Sequence, residues 1–118
     1  MTTRDTVILI ERLIELTQNK IISWNISDFY PSLSSMENHD TIFSAEHLNQ
    51  KLRVYKYFYR HYIDEDTYHL LEGFRLETFD QFNNTLFRFP ETNNIKNLLD
   101  AVMYQKSNIE DFYAKLMG

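Results

Sequence analysis

The chain has 118 residues and no cysteine, and 17 acidic against 12 basic side chains leave a net charge of −5. This length gives one domain with one modest core, spanning 1–118. Lack of thiols excludes disulfides, thiolate catalysis and cysteine-held zinc or iron–sulfur sites, and the acidic balance argues against nonspecific binding of nucleic acid or anionic membrane.

Apolar residues make up 43% and charged residues 25%, and two Gly and two Pro are too few for a low-complexity or disordered chain. The N-terminal apolar run Val7-Ile8-Leu9-Ile10 is broken at once by Glu11-Arg12. It is shorter than the about 20 residues of a membrane span and lacks the basic segment and apolar core of a signal peptide. A soluble, cytoplasmic protein is expected.

Residues 3–18 carry the clearest helical pattern. Val7, Ile10, Leu13, Ile14 and Thr17 share one face at a 3.6-residue period, with Leu9 and Leu16 widening the stripe. Thr2 with Asp5 forms a capping box, and Asn19 suits a left-handed stop. The period then changes to two over Ile21–Ile26, with Ile22, Trp24 and Ile26 on one side, which predicts a first strand. Residues 27–40 lack periodicity and read as a long loop of the kind that tends to be functional or mobile. Residues 41–46 form a weaker strand candidate, followed by a turn at Asn49-Gln50.

Twelve of the eighteen aromatics fall between Phe43 and Phe89, and the strand from Leu52 to Tyr62 is the densest part of that cluster. Parity divides it. Leu52, Val54, Phe58 and Tyr62 share a core face with Lys56 and Arg60, whose cations must snorkel or sit near the sheet edge. Arg53, Tyr55, Tyr57, Tyr59 and His61 share the other face. Asp64–Thr67 forms a polar turn, and a second strand runs from about Tyr68 to Phe79. Gly73 within it signals a bulge or a close backbone approach. Asn83-Asn84 is a hairpin turn, Thr85–Phe89 closes the meander, and Pro90 ends it.

The C-terminus returns to helix, capped by Thr92 or Asn93, with Ile95, Leu98, Leu99 and Val102 inward. Ser107-Asn108-Ile109-Glu110 reads as a second capping box opening a short helix with Ile109, Phe112 and Leu116 inward. The predicted class is α+β: an N-terminal helix, an antiparallel meander of about four to five strands, and C-terminal helices on one sheet face.

Reactive constellations are sparse. His39, His47, His61 and His69 offer no helical i, i+4 zinc spacing; His61 and His69 can face each other across the hairpin, giving at most two ligands. A calcium loop starting at Asp64 needs Gly at its sixth position and Glu at its twelfth; His69 and Arg75 stand there. Glu72 and Glu77 lie at an odd spacing that places them on opposite strand faces. No Ser sits in a nucleophile elbow, and no glycine-rich loop can cradle phosphate. No enzyme activity, metal or cofactor is expected.

The tyrosine face is the candidate site, with Arg53, Tyr55, Tyr57, Tyr59 and His61 as speculative partner-binding residues. Its first reading is cross-strand packing; its second is a protein-docking face, since Tyr and Arg are enriched at interfaces. Base stacking fits less well because the chain is acidic. The expected function is therefore a protein-interaction module, such as an inhibitor, immunity or accessory protein, whose partner presents a basic surface. A small-ligand binder or minor enzyme with a pocket between sheet and helices is the alternative. Edge strands of a small meander can pair with a second copy, so a homodimer stays open.

The segments Tyr62–Tyr68, Glu72–Glu77, Asn84–Pro90 and Leu98–Val102, together with Leu13–Thr17 before a Trp-bearing strand, make the chain resemble small bacterial proteins of unknown function. That resemblance implies a bacterial, mobile-element origin and transfers no functional residue.

Overall fold

In the computed structural model, residues 1–28, 31, 33–34 and 36–118 are described. Helix α1 (Thr3–Gln18) begins as its sequence dictates. The Thr2 side chain accepts from the Asp5 N–H, and the Asp5 carboxylate accepts in return from the Thr2 N–H, both at 3.0 Å. Its stop falls one residue later than Asn19 suggests. Lys20 takes the left-handed conformation at φ 61°, while the Lys20 and Ile21 N–H groups donate back to Thr17 and Leu16. The two bonds form a Schellman closure.

The predicted first strand shortens to β1 (Asn25–Ile26). Ile22 and Trp24 are buried as the alternation requires, but their backbone is bound by a side chain instead of a neighbouring strand. Gln105 accepts from the Trp24 N–H at 2.9 Å and donates to the carbonyls of Ile22 at 2.8 Å and Thr17 at 3.0 Å. The Trp24 indole N–H donates to the Thr17 hydroxyl, which in turn donates to the Leu13 carbonyl. One amide and one hydroxyl thus knit the end of α1, the Trp24 segment and the C-terminal helix together.

The long 27–40 segment holds a further strand, β2 (Glu37–His39); the parts of that expected loop at residues 29, 30, 32 and 35 lie outside the described residues. Strand β3 (Phe43–His47) turns into β4 (Gln50–Tyr62) through Leu48 and Asn49, both at positive φ. Two left-handed residues are what a two-residue hairpin needs to match the twist of its strands. Strand β5 (Tyr68–Phe79) pairs with β4 from Lys51↔Phe79 to Tyr62↔Tyr68, and β6 (Thr85–Arg88) follows with a register shift at Thr78/Phe79. Strands β4 and β5 keep unbroken register across Gly73, so the bulge alternative for that residue fails there and the register shift lies further along β5.

All pairings are antiparallel, in the order β1-β3-β4-β5-β6, with β2 lying against β4 beyond the end of β3. Helix α2 (Ile95–Ser107) packs on α1 and on β4 and β5. Its N-cap is Asn94, not Thr92 or Asn93; the Thr92 hydroxyl donates to the Asn94 side chain, whose amide donates to the Val7 carbonyl of α1. Helix α3 (Ile109–Met117) follows a left-handed Asn108. The α+β layout is thus the one the sequence predicts, with six strands among the described residues against the four to five expected. No helix among the described residues is long and apolar enough to cross a membrane.

The core lies between one sheet face and the helices. Leu52, Val54 and Leu76 meet Ile10, Leu13, Trp24, Leu98 and Val102 there. The molecule is nevertheless long. Its radius of gyration is 16.1 Å and its extents are 58 × 34 × 30 Å, against about 13–14 Å expected for a compact chain of this size. Strands β4 and β5 run on past their pairing with β2, which ends at Tyr59, as a two-stranded arm.

Replacing Gln105 with Leu removes the partner of three backbone groups in a partly buried site. Urea denaturation should show a loss of about 2–3 kcal/mol, since each orphaned group costs on the order of 1 kcal/mol.

Candidate functional site

The sheet face opposite the helices carries every residue the alternation of β4 assigned to it, and it divides in two along the strand. At the near end, Arg53 and Tyr55 are fully buried. Arg53 lies directly across from Glu77, itself 0% exposed, and its Nε donates to Glu77 Oε1 at 2.9 Å. The Tyr55 hydroxyl donates to the same oxygen at 3.1 Å, and Arg88 Nε donates to Oε2 at 2.7 Å. The remaining Arg53 nitrogens donate to Asn83 Oδ1 and Thr85 Oγ1, and the guanidinium lies 4.8 Å from the centre of the Phe79 ring. Arg75 binds both oxygens of Glu37, at 2.8 and 3.1 Å, and stacks 3.8 Å from the centre of the Tyr57 ring.

These contacts set the protonation states. Burial, reinforced by the negative charge of Glu77, pushes the Tyr55 hydroxyl up to about 12, against the opposing pull of Arg75. Hydrogen bonds from Arg75 hold the Glu37 carboxyl below its ordinary value.

Further along, Tyr57 and Tyr59 are half-buried and stack 5.8 Å apart, and His61 is exposed opposite His69. Tyr57 crosses directly over Gly73. A β-carbon there would come within 2.5 Å of the tyrosine ring and 2.6 Å of the Glu91 carboxylate. The close approach predicted for this glycine is therefore real. The Tyr57 hydroxyl reaches Glu91 at 3.3 Å, and Glu91 also accepts the Phe74 N–H at 2.7 Å. That carboxylate occupies the place where a neighbouring strand would otherwise continue.

Beyond Gly73 the arm keeps apolar groups in water. Tyr62, Ile63, Tyr68, Leu70 and Leu71 are exposed, Leu70 by 63%. On the other arm face the cations of the alternation settle on aromatic rings: Lys56 over Phe58, with an ion pair to Glu72 at 2.8 Å, and Arg60 over Tyr68. At the tip, the Asp64 side chain accepts the N–H groups of Asp66 and Thr67, which places Asp64, Glu65 and Asp66 together in solvent. Glu72 and Glu77 lie on opposite faces, as their odd spacing requires. The volume between sheet and helices is filled by the core. A solvent-open groove of about 440 Å³ lies instead where the end of α1 meets α2 and α3, beside Lys20, Tyr104 and Glu110.

The five candidate residues are thus one strand face in two environments. Arg53 and Tyr55 are committed to an internal ionic cluster, while Tyr57, Tyr59 and His61 lead outward onto the arm. Glu77, Arg75 and Glu37 complete the cluster; the sequence pointed to Glu77 only as a partner of Glu72 and to Arg75 only as a residue at odds with a calcium loop, and did not mark Glu37. The available signal was a matched alternation, Arg53-x-Tyr55 against Arg75-x-Glu77, on two strands of one hairpin. No family model matches the chain, and no curated protein or solved structure is significantly similar to it, so its resemblance to small bacterial proteins gains no support.

Two measurements probe the cluster. Glu77→Leu leaves Arg53 buried without its anion and should cost about 3–5 kcal/mol in chemical denaturation. The alkaline limb should also carry a Tyr55 signature. Its hydroxyl is protonated in the folded chain up to about 12 but ionises near 10 once unfolded. Between those values the unfolded state binds fewer protons, so stability falls as pH rises, by on the order of 2 kcal/mol in all. Tyr55→Phe should flatten that decline.

Proposed function

We propose that this protein is a non-enzymatic interaction module, of the inhibitor, immunity or accessory type, that docks a basic partner surface through the β4–β5 arm. The observation that carries this reading is the arm itself. It projects aromatic and aliphatic side chains into solvent and ends in three adjacent carboxylates, Asp64, Glu65 and Asp66. Rings such as Tyr59, Tyr62 and Tyr68 offer large contact area with few rotatable bonds. The acidic tip adds long-range attraction for a cationic surface, which chiefly accelerates encounter. The overall charge of −5 acts in the same direction. Arg53 and Tyr55 hold the near end of the strand; Tyr57, Tyr59 and His61 form the approach to the docking surface.

Affinity capture from source cells with the tagged full chain tests this, in parallel with the triple variant Asp64→Lys, Glu65→Lys, Asp66→Lys. The wild type should retain one stoichiometric basic partner, with association slowed by added salt, and the variant should associate at least about tenfold more slowly. Equal capture by both chains, or a partner without a basic surface, would sink the assignment.

A further inference from the structure

The outer edge of β5 changes partner along its length. The Leu76 carbonyl faces β6 and accepts from the Phe89 N–H at 3.0 Å, and the Phe74 N–H points the same way, to Glu91 at 2.7 Å. Backbone direction alternates along a paired strand, so the N–H and C=O groups of Tyr68, Leu70 and Glu72 also point away from β4. The β4 side agrees: Arg60 stands across from Leu70 and sends its own N–H to the Met36 carbonyl, away from β5. Pairing with β6 covers only Glu77 to Phe79, and among the described residues nothing takes up the outward groups of Tyr68, Leu70 and Glu72. Natural edges are blunted by lysine, proline or a bulge. Residues 68–73 contain neither lysine nor proline, and their register with β4 is unbroken. This edge is open to another strand.

We infer that the docking arm proposed above, on which this step rests, takes up its partner by strand addition: an extended segment with an apolar centre and a lysine or arginine at each end pairs with the free edge of β5. Tyr68, Leu70 and Glu72 each offer one donor and one acceptor, about six main-chain groups in all, and such bonds supply affinity for any extended chain. Side chains supply the selection. Tyr68 and Leu70 line one face of the edge, and Leu71, beside Tyr59, lines the other; all three are exposed. Carboxylates stand at both ends. Asp64, Glu65 and Asp66 form the tip, while Glu91 closes the ladder at Phe74 and Glu72 precedes it. The nearest cations are on β4 and engaged, Lys56 with Glu72 at 2.8 Å and Arg60 over the Tyr68 ring. The same charges disfavour a second copy of this chain. Antiparallel pairing of two β5 edges about Leu70 would set Tyr68 beside Glu72 of the other copy and bring Asp66 of each toward Glu91 of the other. Like charges would then meet at both ends, whereas a segment with basic ends finds opposite charge at each.

The probe is a synthetic peptide, Arg-Lys-Val-Thr-Val-Thr-Val-Lys-Arg, acetylated and amidated, titrated into the isotope-labelled full chain and followed by NMR. A Kd on the order of 100 µM is expected. At about 1 mM peptide this leaves about a tenth of the chain free, so the Tyr68, Leu70 and Glu72 amides should exchange with deuterium about tenfold more slowly than without peptide. The His69 and Leu71 amides, which face β4, should change little. Leu70→Pro removes one outward N–H and no bond to β4, a change that strand edges accommodate, and should weaken binding about tenfold, whereas Leu70→Ala keeps the N–H and should bind within about threefold of wild type. If the proline disturbs the arm, amide protection in the wild-type chain decides alone. A Kd above about 1 mM, or binding that leaves the Tyr68, Leu70 and Glu72 amides in fast exchange, would overturn strand addition. Fast exchange combined with loss of binding in the triple lysine variant would place the contact on a face of the arm instead of its edge. The capture experiment uses no peptide and judges the arm separately.

Discussion

Glu77 has no surface in contact with water, and a carboxylate in that position is tolerable only where charge and hydrogen bonds replace its hydration. Arg53, Tyr55 and Arg88 make that replacement, from strands on both sides of β5. Because Arg53 extends its other nitrogens to Asn83 and Thr85, the same ion pair fastens the β5–β6 hairpin to the sheet. Arg75 performs the parallel task for β2 through Glu37. The cluster also specifies register. A slip of one residue between β4 and β5 would move Glu77 to the face of Leu76 and Val54, among the helices, with no cation in reach. A cluster of this kind is weak as net stability, yet it penalises every other pairing of the strands severely.

The same arrangement explains why the sheet changes character along its length. Near Arg53 one face is covered by α1 and α2 and the other is closed by its own ion pairs. At Gly73 both supports end. The absence of a side chain lets the Tyr57 ring lie across the strand, and Glu91 takes the Phe74 N–H and stops the ladder. Past that point β2 accompanies β4 only as far as Tyr59, and beyond it β4 and β5 have only each other. A two-stranded ribbon is marginal in water by itself, so the arm draws its order from the rigid half of the same strands and from ring contacts such as Tyr62 with Tyr68 and Arg60 over Tyr68.

Periodicity made α1, β4 and β5 legible because each is long enough for its pattern to dominate. Its failures are local and have physical causes. Ile22 and Trp24 alternate like strand residues, but their backbone groups bind a side chain 81 to 83 residues away, which no local pattern records. Parity separated the two faces of β4 correctly and could not say which was wet. Whether Arg53 and Tyr55 meet solvent depends on Glu77, on the next strand. For α3 the stripe was legible, with Ile109, Phe112 and Leu116 expected inward; its direction was not. The expected Ser107–Glu110 capping box is not formed: α3 starts at a left-handed Asn108 whose own side chain makes no capping bond, and the Ser107 hydroxyl donates to the Tyr104 carbonyl and accepts the Ile109 N–H instead of that of Glu110. Glu110 contacts Lys20 and Tyr104, and the stripe is exposed.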